Sequence, residues 1–378
     1  MALVDAVQAG QVRQQSRAFF SPVFDFLCLG GGSLLLLPIL IWAVPDNMNA
    51  RALGFAILLA NVINNPHFAY SYQIFYRTFR AIVSDPASDR KLRARYLWAG
   101  VGAPLLIALF FMVALAWGDA RTLGLAGNAM GFFVGWHYVK QGYGMLMVDA
   151  ALRRSYFSEA DKKILLINSY ACWMVAWLAG NKAVATRNLW GLSFASIDVP
   201  VGLVWLGVAV LVITTAYTAW VLFRHARTHR GAIPINGMAA YIAALYPWLF
   251  MFREPVLGVL IPAMHSLQYL LIVWRFQLNV EHAKPDGTEA IQAPAFAPTR
   301  ASARFGLFLL LGIALGALGF WLLPSLLDAF VPYDHKQYGS SLFFFVLIIF
   351  INIHHYFIDN AMWRKENPHT LRHLFARR

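Results

Sequence analysis

Apolar runs of about twenty residues recur from one end of this chain to the other. A run of that length, nearly free of charge, is what a helix needs to cross the roughly 30 Å hydrocarbon layer of a bilayer. Backbone in hydrocarbon must satisfy its own hydrogen bonds, so such runs fold as helices. Ten segments qualify: 23–44, 52–76, 96–117, 123–148, 163–180, 200–223, 234–252, 255–276, 304–323 and 340–361. Of the 378 residues, 59% are hydrophobic and 13% charged, about half the charge of a soluble domain. The expected fold is all-α: a polytopic transmembrane helix bundle of about ten spans. It is read as a single transmembrane domain over 1–378, with 277–303, rich in Pro and Ala, as a cytoplasmic loop.

The net charge of +13 lies in the short connections between apolar runs, which is how cytoplasmic loops are marked. Six Lys or Arg follow span 2, four follow span 4, three follow span 6 and five lie in the tail after span 10. Even-numbered spans should therefore end in the cytoplasm and both termini should lie there. The expected location is a bacterial inner (cytoplasmic) membrane, crossed many times. No pattern for binding nucleic acid accompanies the charge. The two cysteines, Cys28 and Cys172, sit in apolar runs without a spacing motif and read as buried thiols. The polar N-terminus lacks the basic-then-apolar plan of a cleaved signal, so the first span is expected to stay. Trp190, in 181–200, is expected at the outer interface.

Five of the eleven histidines, His67, His137, His265, His354 and His355, fall inside spans, and all in even-numbered ones. Three surrounding stretches share a ruler: "HFAYSYQIFYR", "HSLQYLLIVWR" and "HHYFIDNAMWR" each place an arginine ten residues after a histidine. Ten residues of helix cover about 15 Å. If those arginines mark the cytoplasmic interface, the imidazoles lie near mid-bilayer. His137 lies sixteen residues before Arg153, and Lys140 with glycines 142 and 144 suggests a less regular helix there. Residues four apart share a helix face, which pairs His67 with Ser71, His137 with Gln141, His265 with Tyr269 and His355 with Asp359. A single intramembrane histidine is often a helix-packing hydrogen-bond donor. Five in one set of helices are better explained by use, because ionisable groups are costly at that depth.

Imidazole is the commonest ligand for transition metals, and helix bundles are a common metal scaffold. The candidate metal set is His67, His137, His265 and the pair His354/His355. Those two point about 100° apart, so one of them is expected to face the site; His355 is preferred because it aligns with Asp359. Asp359, Gln141 and Tyr269 are the candidates for completing or orienting the shell. A set of imidazole and carboxylate without thiolate favours iron, then zinc or copper.

Isolated histidines at matched depth in several helices resemble the integral-membrane non-haem iron oxygenases, and among them the Brp/Blh type of β-carotene dioxygenase. The resemblance implies iron held by His67, His137, His265 and His354 or His355, and oxygenase activity on a lipophilic substrate drawn from the membrane. An electron donor is an open partner. The desaturases and alkane hydroxylases carry HxxxH and HxxHH boxes, whereas "NIHHY" lacks the first histidine of HxxHH. Two other readings of the same residues stay open: haem held by two histidines for electron transfer, and a proton-coupled transporter relaying protons through His and Asp.

Overall fold

The computed structural model describes residues 18–43, 58–118, 120–183, 188–189, 192–193, 195–251, 257–282, 300–364 and 366–374. Helix occupies the described part of each of the ten apolar segments. α1 comprises Pro22–Phe26, Leu27–Gly31 and Gly32–Ala43; α2, Ala60–Asn64 and Asn65–Ser84; α3, Arg90–Leu97, Trp98–Gly102 and Ala103–Ala116. α4 is Ala120–Leu152, α5 Glu159–Ala183 and α6 Val201–Thr228. α7 is Ile235–Leu245, extended by the tighter turn Tyr246–Phe250, and α8 is Leu257–His282. α9 comprises Arg300–Ala317, Leu318–Leu322 and Leu323–Phe330; α10 is Leu342–Met362 and α11 Pro368–Leu374. Among the described residues the only strand pairing joins Asn188–Leu189 to Leu192–Ser193.

Among the described residues, six helices, within α1, α3, α5, α6, α9 and α10, are long and apolar enough to cross a membrane. The chain is a membrane-embedded, multi-pass helical protein. In the most apolar stretches of α6 and α9 only 17% of residues are buried, against 50% in α5 and α10. Trp205, Leu206, Leu307 and Leu310 accordingly lie exposed on the outside, as lipid-facing side chains should. α2, α4, α7 and α8 do not meet the same measure. For α2 and α8 the reason is visible in what they bury: Asn65, His67 and Ser71 on one, His265, Ser266, Gln268 and Arg275 on the other.

α10 packs between α2 and α4, α9 lies along α2, and α7 is seated on α4. Small residues permit these approaches. A Cβ on Gly316 of α9 would lie 2.9 Å from the backbone of Asn65. In "CLGGGS", Gly30 has a φ of 148° and its missing Cβ would meet the Ala239 carbonyl at 2.8 Å; the motif is a close helix contact.

Among the described residues, three helices carry a five-residue π-helical segment, Ala60–Asn64, Trp98–Gly102 and Leu318–Leu322, and α1 kinks within Leu27–Gly31, where Gly30 is non-helical. A π segment holds one residue more than the α ladder accommodates and loosens carbonyls for other partners. Two of these segments, and the kink in α1, supply a carbonyl to a side chain near the histidines. Asn64 O accepts from His67 Nδ1 at 2.5 Å, Ala99 O from His354 Nε2 at 2.9 Å, and Leu29 O from Gln268 Nε2 at 2.5 Å.

Three expectations need correction. α4 is one continuous helix of 33 residues, about 50 Å long, without the irregularity anticipated around Lys140. Gly142 instead lets α7 approach, its absent Cβ falling 2.4 Å from that of Ala244. The loop expected over 277–303 is helical through His282 and again from Arg300. Its first residues are held by partners on other helices: Gln277 accepts from Arg77 at 2.8 Å, and Glu281 pairs with Arg304 at 2.7 Å. Residues 283–299 and Trp190 lie outside the described residues.

The third concerns Arg275, expected to end span 8 in contact with the interface and instead enclosed by protein. It is 2% exposed. Its Nη1 donates to the carbonyls of Ala18 and Phe19 at 3.0 and 2.6 Å, and its Nε to Leu374 O at 3.1 Å. One guanidinium thus ties the chain ahead of α1 to the end of α11.

Candidate metal centre

α2, α4, α8 and α10 each turn one imidazole into a common interior volume. The ring centroids of His67 and His355 are 4.8 Å apart, those of His137 and His355 5.1 Å, and those of His137 and His265 4.8 Å. His67 and His265 stand 5.5 Å apart. Asp359, one turn beyond His355, adds a carboxylate: its Oδ2 lies 3.5 Å from the Nε2 of both His137 and His355. His67, His265 and His355 form one set of converging ligand atoms and His137, His355 and Asp359 another, every atom within 4.8 Å of the others in its set. His355 belongs to both.

His137 joins the other rings although it lies sixteen residues, not ten, before its arginine.

The polar atoms at the centre lack partners. His137 Nε2, both ring nitrogens of His265, His355 Nδ1 and Asp359 Oδ2 are buried without a hydrogen bond. An unpartnered buried polar group costs about 1–3 kcal/mol, and several in one place call for a common partner. Asp359 is 4% exposed and its only ion-pair neighbours among the described residues are the two histidines. No lysine or arginine among the described residues forms an ion pair with it. His67 sharpens the case. Its Nδ1 must hold a proton to donate to Asn64 O, which leaves a lone pair on Nε2. That lone pair points at His355 Nε2, 3.2 Å away. One proton can satisfy that single contact but not the approach of His137 and Asp359 as well. Ligand nitrogens bound about 2.0–2.1 Å from a first-row metal in tetrahedral array lie about 3.3 Å from one another. The separations of 3.2 and 3.5 Å fit as edges of such a shell.

No family model, no curated protein and no solved structure matches this chain. What the site can do therefore rests on its own chemistry.

The surroundings fix the ligand orientations. The Ser266 hydroxyl, 3.0 Å from His67 Nδ1, accepts part of that proton while donating to Asn64 Oδ1 at 2.8 Å. Tyr269 donates its hydroxyl to Asp359 Oδ1 at 2.9 Å and itself accepts from Trp363 Nε1 at 3.1 Å, which turns Oδ2 toward the imidazoles. His265 lies flat on Tyr138, ring centroids 3.6 Å apart and planes within 11°.

His354 is not part of the group. Its Nδ1 lies 2.7 Å from the Tyr72 hydroxyl and its Nε2 2.9 Å from Ala99 O, so both nitrogens are used. Gln141 also departs from expectation. Its amide donates to the backbone carbonyl of His265 at 3.0 Å and to Gln268 Oε1 at 3.3 Å. It braces α4 against α8 and orients no imidazole. Tyr138, Ser266 and Trp363 were missed in the sequence. Each except Trp363 adjoins a candidate histidine in sequence, and the search for i, i+4 partners passes over i+1 neighbours that reach another helix's ligand.

Proposed function

We propose that this cluster holds one transition-metal ion, iron by preference, and that the protein is a membrane-embedded oxidoreductase of the oxygenase type acting on a lipophilic substrate. The observation that carries this is the set of unpartnered polar atoms on α4, α8 and α10, beside His67 of α2, around a carboxylate that no Lys or Arg among the described residues pairs with. His67, His137, His265, His355 and Asp359 would hold the ion, which would supply a Lewis-acidic, redox-active centre away from bulk water. One ion is favoured over two because His355 belongs to both ligand sets. The chain's own part is to bind, orient and exclude water. Tyr269 holds Asp359 with one oxygen inward, and Ser266 with Asn64 holds the His67 proton on Nδ1.

Ten crossings, with the basic end of the bundle in the cytoplasm, belong to this proposal. α2, α4 and α8 fall short in apolarity because they carry the polar interior, which is how intramembrane functional residues are normally arranged. Haem fits the geometry poorly, since imidazoles whose nitrogens stand 3.2 Å apart leave no gap for a macrocycle. The contact of His137, Asp359 and His355 would also serve a proton relay, and the same experiment separates the two. Elemental analysis and an optical spectrum of the purified protein should give about one iron per chain, released by a chelator, without a Soret band. Folded, monodisperse protein that holds no metal and takes up neither iron, zinc nor copper would overturn the metal reading and leave the relay.

A further inference from the structure

Among the cluster residues, His137 is the most exposed, and His265 is buried at 4%. The His137 side chain is 12% exposed, against 2% for His355 and 3% for Asp359, and His67 is fully buried. A substrate must therefore approach along the face of α4 that carries His137. The lipid-facing groove of about 590 Å³ on α9, lined by Ala314, Leu318, Trp321 and neighbours, is not that route. Phe68 and Phe320, rings 5.2 Å apart, stand between it and His67.

One turn beyond His137 on the same face lies Lys140, half-buried. Its Nζ donates to Asn360 Oδ1 at 2.8 Å. Arg364 Nη2 donates to that same oxygen at 2.5 Å. The charges acting on Lys140 are those of Arg364 and Arg95, both positive. Glu366, the carboxylate that acts on Arg364, faces Arg95 at 3.7 Å, and both are well exposed. Arg364 Nε also donates to Asn360 O at 2.7 Å. Two partly desolvated cations thus converge on one neutral residue, Asn360. Like charges so placed repel, and a cation out of water wants an anion or full hydrogen bonding. Tyr356, whose ring lies 6.2 Å from that of His137, and Phe133, 5.2 Å from Tyr356, give the surface on the other side of His137 an apolar character.

We propose that the substrate is an amphiphile with an anionic headgroup, a carboxylate or a phosphate monoester, bound by Lys140 and Arg364 while its apolar part lies across His137. This rests on the cluster being the reaction centre. Lys140 is three residues past His137, and Asn360 five past His355, so the anion sits about 5–8 Å along the helix axes from the cluster. The atom presented to the cluster then lies within a few bonds of the headgroup, not at mid-chain. Pure hydrocarbons are poor ligands on this reading.

The test is equilibrium binding to the purified full chain in a nonionic detergent. Radiolabelled palmitoleate is compared with palmitoleyl alcohol, and a phosphatidate with the diacylglycerol of the same chains. At least one anion should bind about tenfold or more tightly than its uncharged counterpart. Lys140→Met and Arg364→Met should each remove that preference without weakening the uncharged ligand, and Lys140→Arg should retain it. Preference for palmitoleate alone assigns a free fatty acid, and for phosphatidate alone a phospholipid. Equal binding of charged and uncharged partners, or a preference that survives Lys140→Met in folded protein, overturns the inference. Metal content is measured on the same samples. Headgroup preference without metal sinks only the cluster reading, and metal without headgroup preference sinks only this one.

Discussion

Replacing His355 by alanine should strip the metal from the protein, while the same change one residue earlier, at His354, should leave it bound. The two side chains are neighbours in sequence and both are 2% exposed, so burial does not distinguish them. Direction does. His355 Nε2 faces His67 at 3.2 Å and Asp359 at 3.5 Å and belongs to both ligand sets. Losing an outer partner of a metal ligand costs about 10–100-fold in affinity, and losing the shared ligand should cost at least as much. Metal per protein in His355→Ala should fall below about a tenth of the parent value. His354→Ala strands the Tyr72 hydroxyl and the Ala99 carbonyl instead, at about 1–3 kcal/mol of stability. It should melt earlier with its metal intact. If the two folded variants retain metal equally, His355 is a packing residue and the proposed centre is wrong.

The largest effect on stability should come from Arg275→Met. The change keeps the volume and removes the donors that hold Ala18, Phe19 and Leu374. Hydrogen bonds from a charged donor contribute about 1.5–3 kcal/mol each, and breaking a buried charged network costs about 3–5 kcal/mol. The loss should be local first: hydrogen exchange should quicken at 18–20 and 368–374 before the spanning helices respond. Unchanged exchange there would show that other contacts suffice, the bond from Asn279 Nδ2 to His373 O at 2.7 Å foremost. The same junction should respond to acid. Burial, His373, Arg77 and Arg372 hold His369 down to about 4. Once released, the side chain takes up a proton near its ordinary value of about 6.5, and the docked one refuses it until about 4. Docking of α11 should therefore weaken as pH falls from about 6.5 to about 4, measurable as faster exchange in α11.

The helices were legible because hydrocarbon permits so few backbone solutions. The meeting of His67, His137, His265 and His355 was legible because costly groups at one depth have nowhere else to go. The preference for His355 over His354 followed from the 100° step of a helix and from the place of Asp359. Other features depend on partners distant in sequence. Arg275 looks like any arginine at a helix end, and only the chain at 18–19 and 374 makes it internal. Gln141 sits on the expected face, but its amide is long enough to choose the His265 carbonyl over a ring. Residues 277–282 adjoin a Pro- and Ala-rich stretch and so read as loop with it, whereas bonds with Arg77, Arg304 and the His373 carbonyl hold them in α8. The π segments leave no signature in composition, since one additional residue per helix scarcely alters an apolar pattern.

Those added residues bear on ancestry. Removing one residue from 60–64 would close the α ladder, yet it would turn one side of α2 against the other by about 100° and shift it about 1.5 Å along the axis. His67 would then leave the cluster and face a different neighbour. The bulge at 60–64 is a one-letter insertion that the site depends on, so a distant cousin sharing this chemistry should keep the spacing between 60 and 67 while drifting freely in the letters themselves. A search weighted by spacing around the histidines, with little regard for identity, is the one suited to finding such cousins.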